Sequence, residues 1–191
     1  MLIKKLRNFG FNTNNRTYII AEIGINHRGS VKVAKQLIDS AVRSGVDAVK
    51  FQTYITEQRA PKGNDEVFKI LKDLELPFEA FKELQDYARR HDVDFFSTPF
   101  DKESVEYLES IGTDLYKIAS FDIVNHQLLR EVAKTRKPVI MSVGMSNLDE
   151  IEDAYNILKE GTDSIAILHC ISSYPTIEKD SNLSNIYKIQ E

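Results

Sequence analysis

The sequence predicts an α/β protein whose parallel strands are joined by crossover helices, and three observations carry that expectation. Short apolar runs alternate with longer segments of helical period along most of the 191 residues. Most intervals between the starts of those apolar runs are about 21 to 30 residues, the length of one strand plus one helix. Each run also gives way to polar residues toward its carboxyl end.

The elements can be justified in order. A polar lead-in, Asn12-Thr13-Asn14-Asn15-Arg16, belongs to an N-terminal extension over 1–16, and the folded domain is expected over 17–191. The first strand is predicted over 17–24. In the helix over 31–44, Ala34, Leu37, Ile38, Ala41 and Val42 share one stripe, and Gly45 ends it. After the second strand, 47–53, the longer interval reads as an extra loop at 54–76. Pro77 suits the first turn of the next helix, where its missing N–H costs nothing, and Phe81, Leu84 and Ala88 line one side. The third strand is 94–98. Asp101 caps the following helix, Val105, Leu108 and Ile111 face inward, and Gly112 stops it. A fourth strand over 115–120 leads to a helix over 126–135 striped by Leu128, Leu129, Val132 and Ala133. The fifth strand, 138–144, precedes a capping-box start at Asn147 and Glu150. That helix buries Ile151, Ala154 and Leu158 and ends at Gly161. The sixth strand is 165–170.

Six βα units imply a parallel sheet covered by helices, because parallel neighbours need crossovers that bury the sheet's faces. A (β/α)₈ barrel and an open doubly wound sheet both fit. The barrel needs eight strands and ~200 to 250 residues, and the period by itself leaves the choice open.

Composition narrows the function classes. With 42% hydrophobic residues and mild net charge, −4 from 25 Lys and Arg against 29 Asp and Glu, the chain reads as a soluble globular domain and not as a disordered one. Dispersed basic residues argue against a nucleic-acid partner. The longest apolar runs are far short of the ~18 residues of a membrane span. A lone cysteine, Cys170, and an amino terminus without signal-peptide character make a reducing cytoplasm the expected compartment.

Polar residues at the strand ends point to one ligand site, since ligands bind at that end of the sheet in both candidate folds. They are Glu22, Lys50 and Gln52, Ser97 and Thr98, Lys117 and Ser120, Ser142, then His169, Ser172 and Ser173. A lysine among apolar neighbours inside a strand needs an anionic partner, because desolvating an unpaired ammonium costs several kcal/mol. Glu22 could be that partner for Lys50 or Lys117. Two such lysines together with the hydroxyls of Thr98, Ser120, Ser142 and Ser172 outnumber the carboxylates, which favours a phosphate or carboxylate ligand. His169 reads as a hydrogen-bonded core histidine ahead of a metal ligand, and Cys170 as packing. Asn26-His27, between Gly24 and Gly29, suits either an active-site rim or a loop-stabilising role. The segment Gly24 to Gly29 lacks the middle glycine of a dinucleotide fingerprint.

Five motifs in order, Ala21-Glu22-Ile23-Gly24-Ile25-Asn26-His27, Asp47-Ala48-Val49-Lys50-Phe51-Gln52-Thr53, Phe96-Ser97-Thr98-Pro99-Phe100-Asp101, Tyr116-Lys117-Ile118-Ala119-Ser120 and Leu168-His169-Cys170-Ile171-Ser172-Ser173-Tyr174-Pro175, resemble the sialic acid synthase (N-acetylneuraminate synthase) family, which includes pseudaminic and legionaminic acid synthases. The resemblance implies a (β/α)₈ barrel, here incomplete with about six of eight units. It implies condensation of phosphoenolpyruvate with N-acetylmannosamine or a related 6-deoxy diacetamido sugar, giving a nonulosonic acid and phosphate. Lys50, Thr98, Lys117, Ser120, Ser142 and Ser172 would hold phosphoenolpyruvate, Glu22 would be the catalytic carboxylate, and Asp122 and Tyr174 would contact the sugar. A divalent metal, Mn²⁺ or Mg²⁺, is expected for the family, and full-length members are expected to form homodimers completed by an antifreeze-like domain.

Departures from the pattern bear on the substrate. Lys117-Ile118-Ala119-Ser120-Phe121-Asp122 stands where sialic acid synthases proper often read Lys-Ile-Gly-Ser-Gly-Glu, and its Ala-Ser-Phe pattern resembles pseudaminic acid synthases and other relatives. Val143 replaces a common Thr, and the 54–76 segment is shorter than usual. The metal-ligand motifs and the antifreeze-like domain are absent from this chain, so the expectation includes an alternative: a catalytically incomplete fragment that binds phosphoenolpyruvate or needs a partner chain.

Overall fold

The computed structural model describes residues 17–60, 63 and 65–190. The extension expected over 1–16 lies outside the described residues. Two compact units divide the chain, one running to Asp114 and one from Leu115.

The first unit holds strands β1 (Ile20–Gly24), β2 (Ala48–Thr53) and β3 (Asp94–Pro99), paired parallel in chain order. Its helices are α1 (Val31–Arg43), the single-turn α2 (Thr56–Arg59), α3 (Asp65–Leu74), α4 (Phe78–Arg90) and α5 (Lys102–Ser110). Residues 54–76, expected as a loop, therefore carry two helices. A polar run with acidic residues at Asp65 and Glu66 hid the helical period of Val67, Ile70 and Leu71, and no α3 residue is buried. The Ser30 side chain accepts a hydrogen bond from the Val33 N–H to cap α1, and Asp101 accepts from the Ser104 N–H to cap α5. Pro77 sits at the cap position of α4, one residue before its first turn.

β2 is the middle strand of this unit and is almost wholly buried. Alternation along it sends Val49 and Phe51 to one face, where they pack with Ile38, Phe81, Leu84 and Phe95 of the helices and β3. Lys50 and Gln52 take the other face. The apolar face fixes the register, and that register decides where the polar side chains go.

The second unit holds β4 (Tyr116–Ile118), α6 (His126–Lys134), β5 (Val139–Ser142), α7 (Leu148–Lys159), β6 (Ile165–Leu168) and α8 (Asn185–Gln190), with the three strands again parallel and in chain order. β4 is three residues long where six were expected. Beyond Ile118 the chain turns into a 3₁₀ segment, Ser120–Asp122, whose Asp122 N–H bonds the Ala119 carbonyl. Asn147 and Glu150 form the expected capping box on α7. Leu128, Leu129, Val132 and Ala133 are buried on α6, as Ile151, Ala154 and Leu158 are on α7.

Candidate functional site

In the first unit, register places Glu22 of β1 beside Lys50 of β2, and Lys50 beside Phe96 of β3. The Lys50 ammonium lies 2.7 Å from Glu22 Oε2 and donates to Thr98 Oγ1 at 2.9 Å. Lys50 is 7% exposed, whereas the Glu22 side chain is 54% exposed. Burial pushes the Lys50 ammonium below its usual range, and the Glu22 charge and hydrogen bond oppose that shift. The salt bridge weighed from sequence is therefore present, and it uses one oxygen of a carboxylate that faces outward.

Just past Glu22 the pairing slips by one residue and Gly24 takes φ +55°, a conformation that favours glycine. A Cβ there would stand 3.2 Å from Glu22 Oε1 and 3.6 Å from Gln52 Nε2. Gln52 accepts from Arg59 Nη1 at 3.1 Å, and the Arg59 guanidinium lies 3.8 Å over the Phe100 ring. Gln52 was legible only as a polar strand end; alternation is the signal that puts it on the face of Lys50. His27 is buried and 6.0 Å from Phe51 in a ring stack, with Nδ1 accepting from the Gly29 N–H at 3.2 Å. That geometry holds the β1–α1 loop, the second of the two roles read for it. Burial pushes its imidazole down to about 4.

In the second unit, Lys117 of β4 is 8% exposed, and its ammonium donates to Ser142 Oγ at 2.5 Å and to the Ile118 carbonyl at 2.7 Å. Ser120 and Asp122 stand on the 3₁₀ segment beyond β4, not on a strand end. Ser120 Oγ accepts from the Gly144 N–H at 3.0 Å, and Asp122 is buried beside Asn125 Nδ2, 3.5 Å away. Ser172 lies close to Gly144 as well. Gly144 was missed from sequence; a glycine closing the strand expected over 138–144 was its only sign. Tyr174 is 96% exposed and is not brought to this cluster. His169 is half-buried with Nε2 2.8 Å from the Ser181 carbonyl, and Cys170 is half-buried with a free thiol.

Among the described residues no group of three or more His, Cys, Asp or Glu side chains could hold a metal ion. Those residues do not fit the divalent cation expected from the resemblance. No helix among the described residues is long and apolar enough to cross a membrane.

The six successive βα units define a fold class, an incomplete (β/α)₈ barrel. The chain superposes on N-acetylneuraminic acid (sialic acid) synthetase from Leptospira borgpetersenii serovar Hardjo-bovis, solved in complex with citrate, with TM-score 0.88 and 39% identity, over 92% of this chain and 61% of that one. Residues 37–191 match the NeuB family, and the chain belongs to that family. It is 40% identical over 192 residues to N,N'-diacetyllegionaminic acid synthase of Campylobacter jejuni, covering 92% of this chain and 58% of the relative. An uncharacterized protein of Methanocaldococcus jannaschii is 46% identical over 171 residues, 89% of this chain and 50% of the relative. The chain thus spans about half the length of the curated relatives it matches.

Proposed function

We propose that the protein serves the condensation of phosphoenolpyruvate with an N-acetylated aminosugar, N-acetylmannosamine or a 6-deoxy diacetamido relative, to give a nonulosonic acid and phosphate. The observation that carries this function is a buried lysine with hydroxyl donors in each unit: Lys50 with Thr98, and Lys117 with Ser142. Fixed ammonium and hydroxyl groups suit the phosphate and carboxylate of phosphoenolpyruvate, because donors oriented before the ligand arrives need no reorganisation during reaction. Ser120 and Ser172 supply further hydroxyls in the second unit, and Asp122 and Tyr174 are assigned to the sugar. Membership of the NeuB family supports the same reaction class.

In the proposed chemistry C3 of phosphoenolpyruvate, held ~3 Å from the sugar aldehyde carbon, attacks it to form the new carbon–carbon bond while the C=O π pair moves to the aldehyde oxygen, which becomes a hydroxyl with a proton released by the water that adds at C2. Water adds at C2, and the tetrahedral intermediate expels phosphate by C–O cleavage, leaving the 2-keto acid. Glu22 orients that water or moves its proton: Oε2 is committed to Lys50, and Oε1 of this half-exposed side chain remains an acceptor. Mn²⁺ or Mg²⁺ stays part of the proposal with ligands from outside the described residues. A cytoplasmic setting and a homodimer complete the proposal.

Calorimetric titration of phosphoenolpyruvate into wild type and Lys117→Ala tests the anion site; a loss of at least tenfold in affinity is expected, and equal affinity removes Lys117 from it. Phosphate release with each sugar in the presence of Mn²⁺, followed by product mass, tests turnover. Binding without phosphate release identifies the chain as the incomplete, partner-requiring form.

A further inference from the structure

Building on the anion-binding role assigned above, we propose that Gly144 is a positioning residue of the second unit's oxyanion cradle. It fixes Ser120 as a hydroxyl donor, and its missing side chain leaves the space on which Ser120 and Ser172 converge.

Gly144 is buried two residues beyond the end of β5. Its N–H donates to Ser120 Oγ at 3.0 Å. A hydroxyl oxygen that accepts a backbone N–H keeps its own proton for a second partner, so this bond leaves Ser120 a donor toward an incoming acceptor. A Cβ on Gly144 would stand 2.6 Å from Ser172 Oγ, 3.1 Å from the Cys170 carbonyl oxygen and 3.2 Å from Ser120 Oγ. Segments following β4, β5 and β6 therefore deliver two hydroxyls and a main-chain amide to one point. The φ of Gly144 lies outside the left-handed region, so space and not backbone conformation demands glycine here.

The nearest obstacle tells what alanine would do. Ser172 Oγ is the end of an exposed, rotatable side chain, and it can swing away from the new methyl group. The Cys170 carbonyl and Ser120 hydroxyl, tighter than ordinary contact, need shift only by a few tenths of an ångström. Gly144→Ala is thus expected to keep the fold while turning Ser172 and Ser120 out of register with an oxyanion.

Two measurements on the full chain test this. In ¹⁵N-labelled protein without ligand, the Gly144 amide should be protected from hydrogen exchange, and Ser120→Ala should speed its exchange at least tenfold. Phosphoenolpyruvate titrated into Gly144→Ala should bind at least tenfold more weakly than to wild type, with circular dichroism unchanged. Exchange at Gly144 that ignores Ser120→Ala, or affinity in Gly144→Ala within twofold of wild type, overturns the proposal. Should Gly144→Ala fail to fold, the exchange measurement decides by itself. A Ser120-dependent amide in a wild-type chain that binds no phosphoenolpyruvate overturns the function proposed above while leaving Gly144's hold on Ser120 standing.

Discussion

Lys50 and His27 show how burial of single residues ties stability to pH. The folded pKa of Lys50 lies below its usual 10.5, so its ammonium is a net cost at neutral pH that fades as pH rises toward 10.5. Glu22 offsets part of that cost. Glu22→Gln should lower the free energy of urea unfolding by about 1 to 2 kcal/mol at pH 7 and by less at pH 10. His27, 1% exposed, titrates near 4 in the fold against 6.5 when unfolded. Its folded pKa is the lower one, so the stability is present above 6.5 and is lost as pH falls toward 4, on the order of 3 kcal/mol in all. A melting series from pH 7 to 4.5 should show that loss in wild type and a flatter profile in His27→Gln; parallel curves would remove His27 as its source.

Helix ends and helix contacts set the next scale. Asn147 caps α7 on the surface, and Asn147→Ala should cost about 1 kcal/mol in denaturant unfolding. Gly161, just beyond α7, has a sharper constraint: a Cβ there would fall 1.9 Å from the Ala133 carbonyl oxygen near the end of α6. Neither backbone can move without separating the two helices, so Gly161→Ala should cost more than ~3 kcal/mol. Gly45 makes the contrast, since it has φ +74° and nothing within 4 Å of a Cβ. Gly45→Ala should cost only ~1 kcal/mol, from backbone conformation. Equal urea midpoints for the two glycine variants would refute the packing account.

For the molecule as a whole, a ligand bound only by the folded state raises stability by mass action. Phosphoenolpyruvate at a hundredfold its dissociation constant should add about 2.7 kcal/mol. For a chain of this size that is about 5 to 10 °C in melting temperature. Pyruvate, which lacks the phosphate, should give a smaller shift at equal concentration, and identical shifts would argue against a doubly anionic ligand. The weakly acidic charge balance fits a small-molecule ligand and predicts no retention on immobilised DNA at physiological salt.

By itself the sequence determined the parallel βα order, five of the helix positions, the caps at Asp101 and Asn147, and the lysines and hydroxyls on which the site proposal rests. Those features are local: a strand period, a stripe, a cap or a charge amid apolar neighbours can be read within a few residues. Only tertiary structure decided that Glu22 pairs with Lys50, that β4 stops at Ile118 and hands Ser120 and Asp122 to a 3₁₀ turn, and that Gly144 meets Ser120 and Ser172. Each of those outcomes depends on strand register or on the meeting of loops distant in sequence, where what matters is the space between side chains and not their identity along the chain.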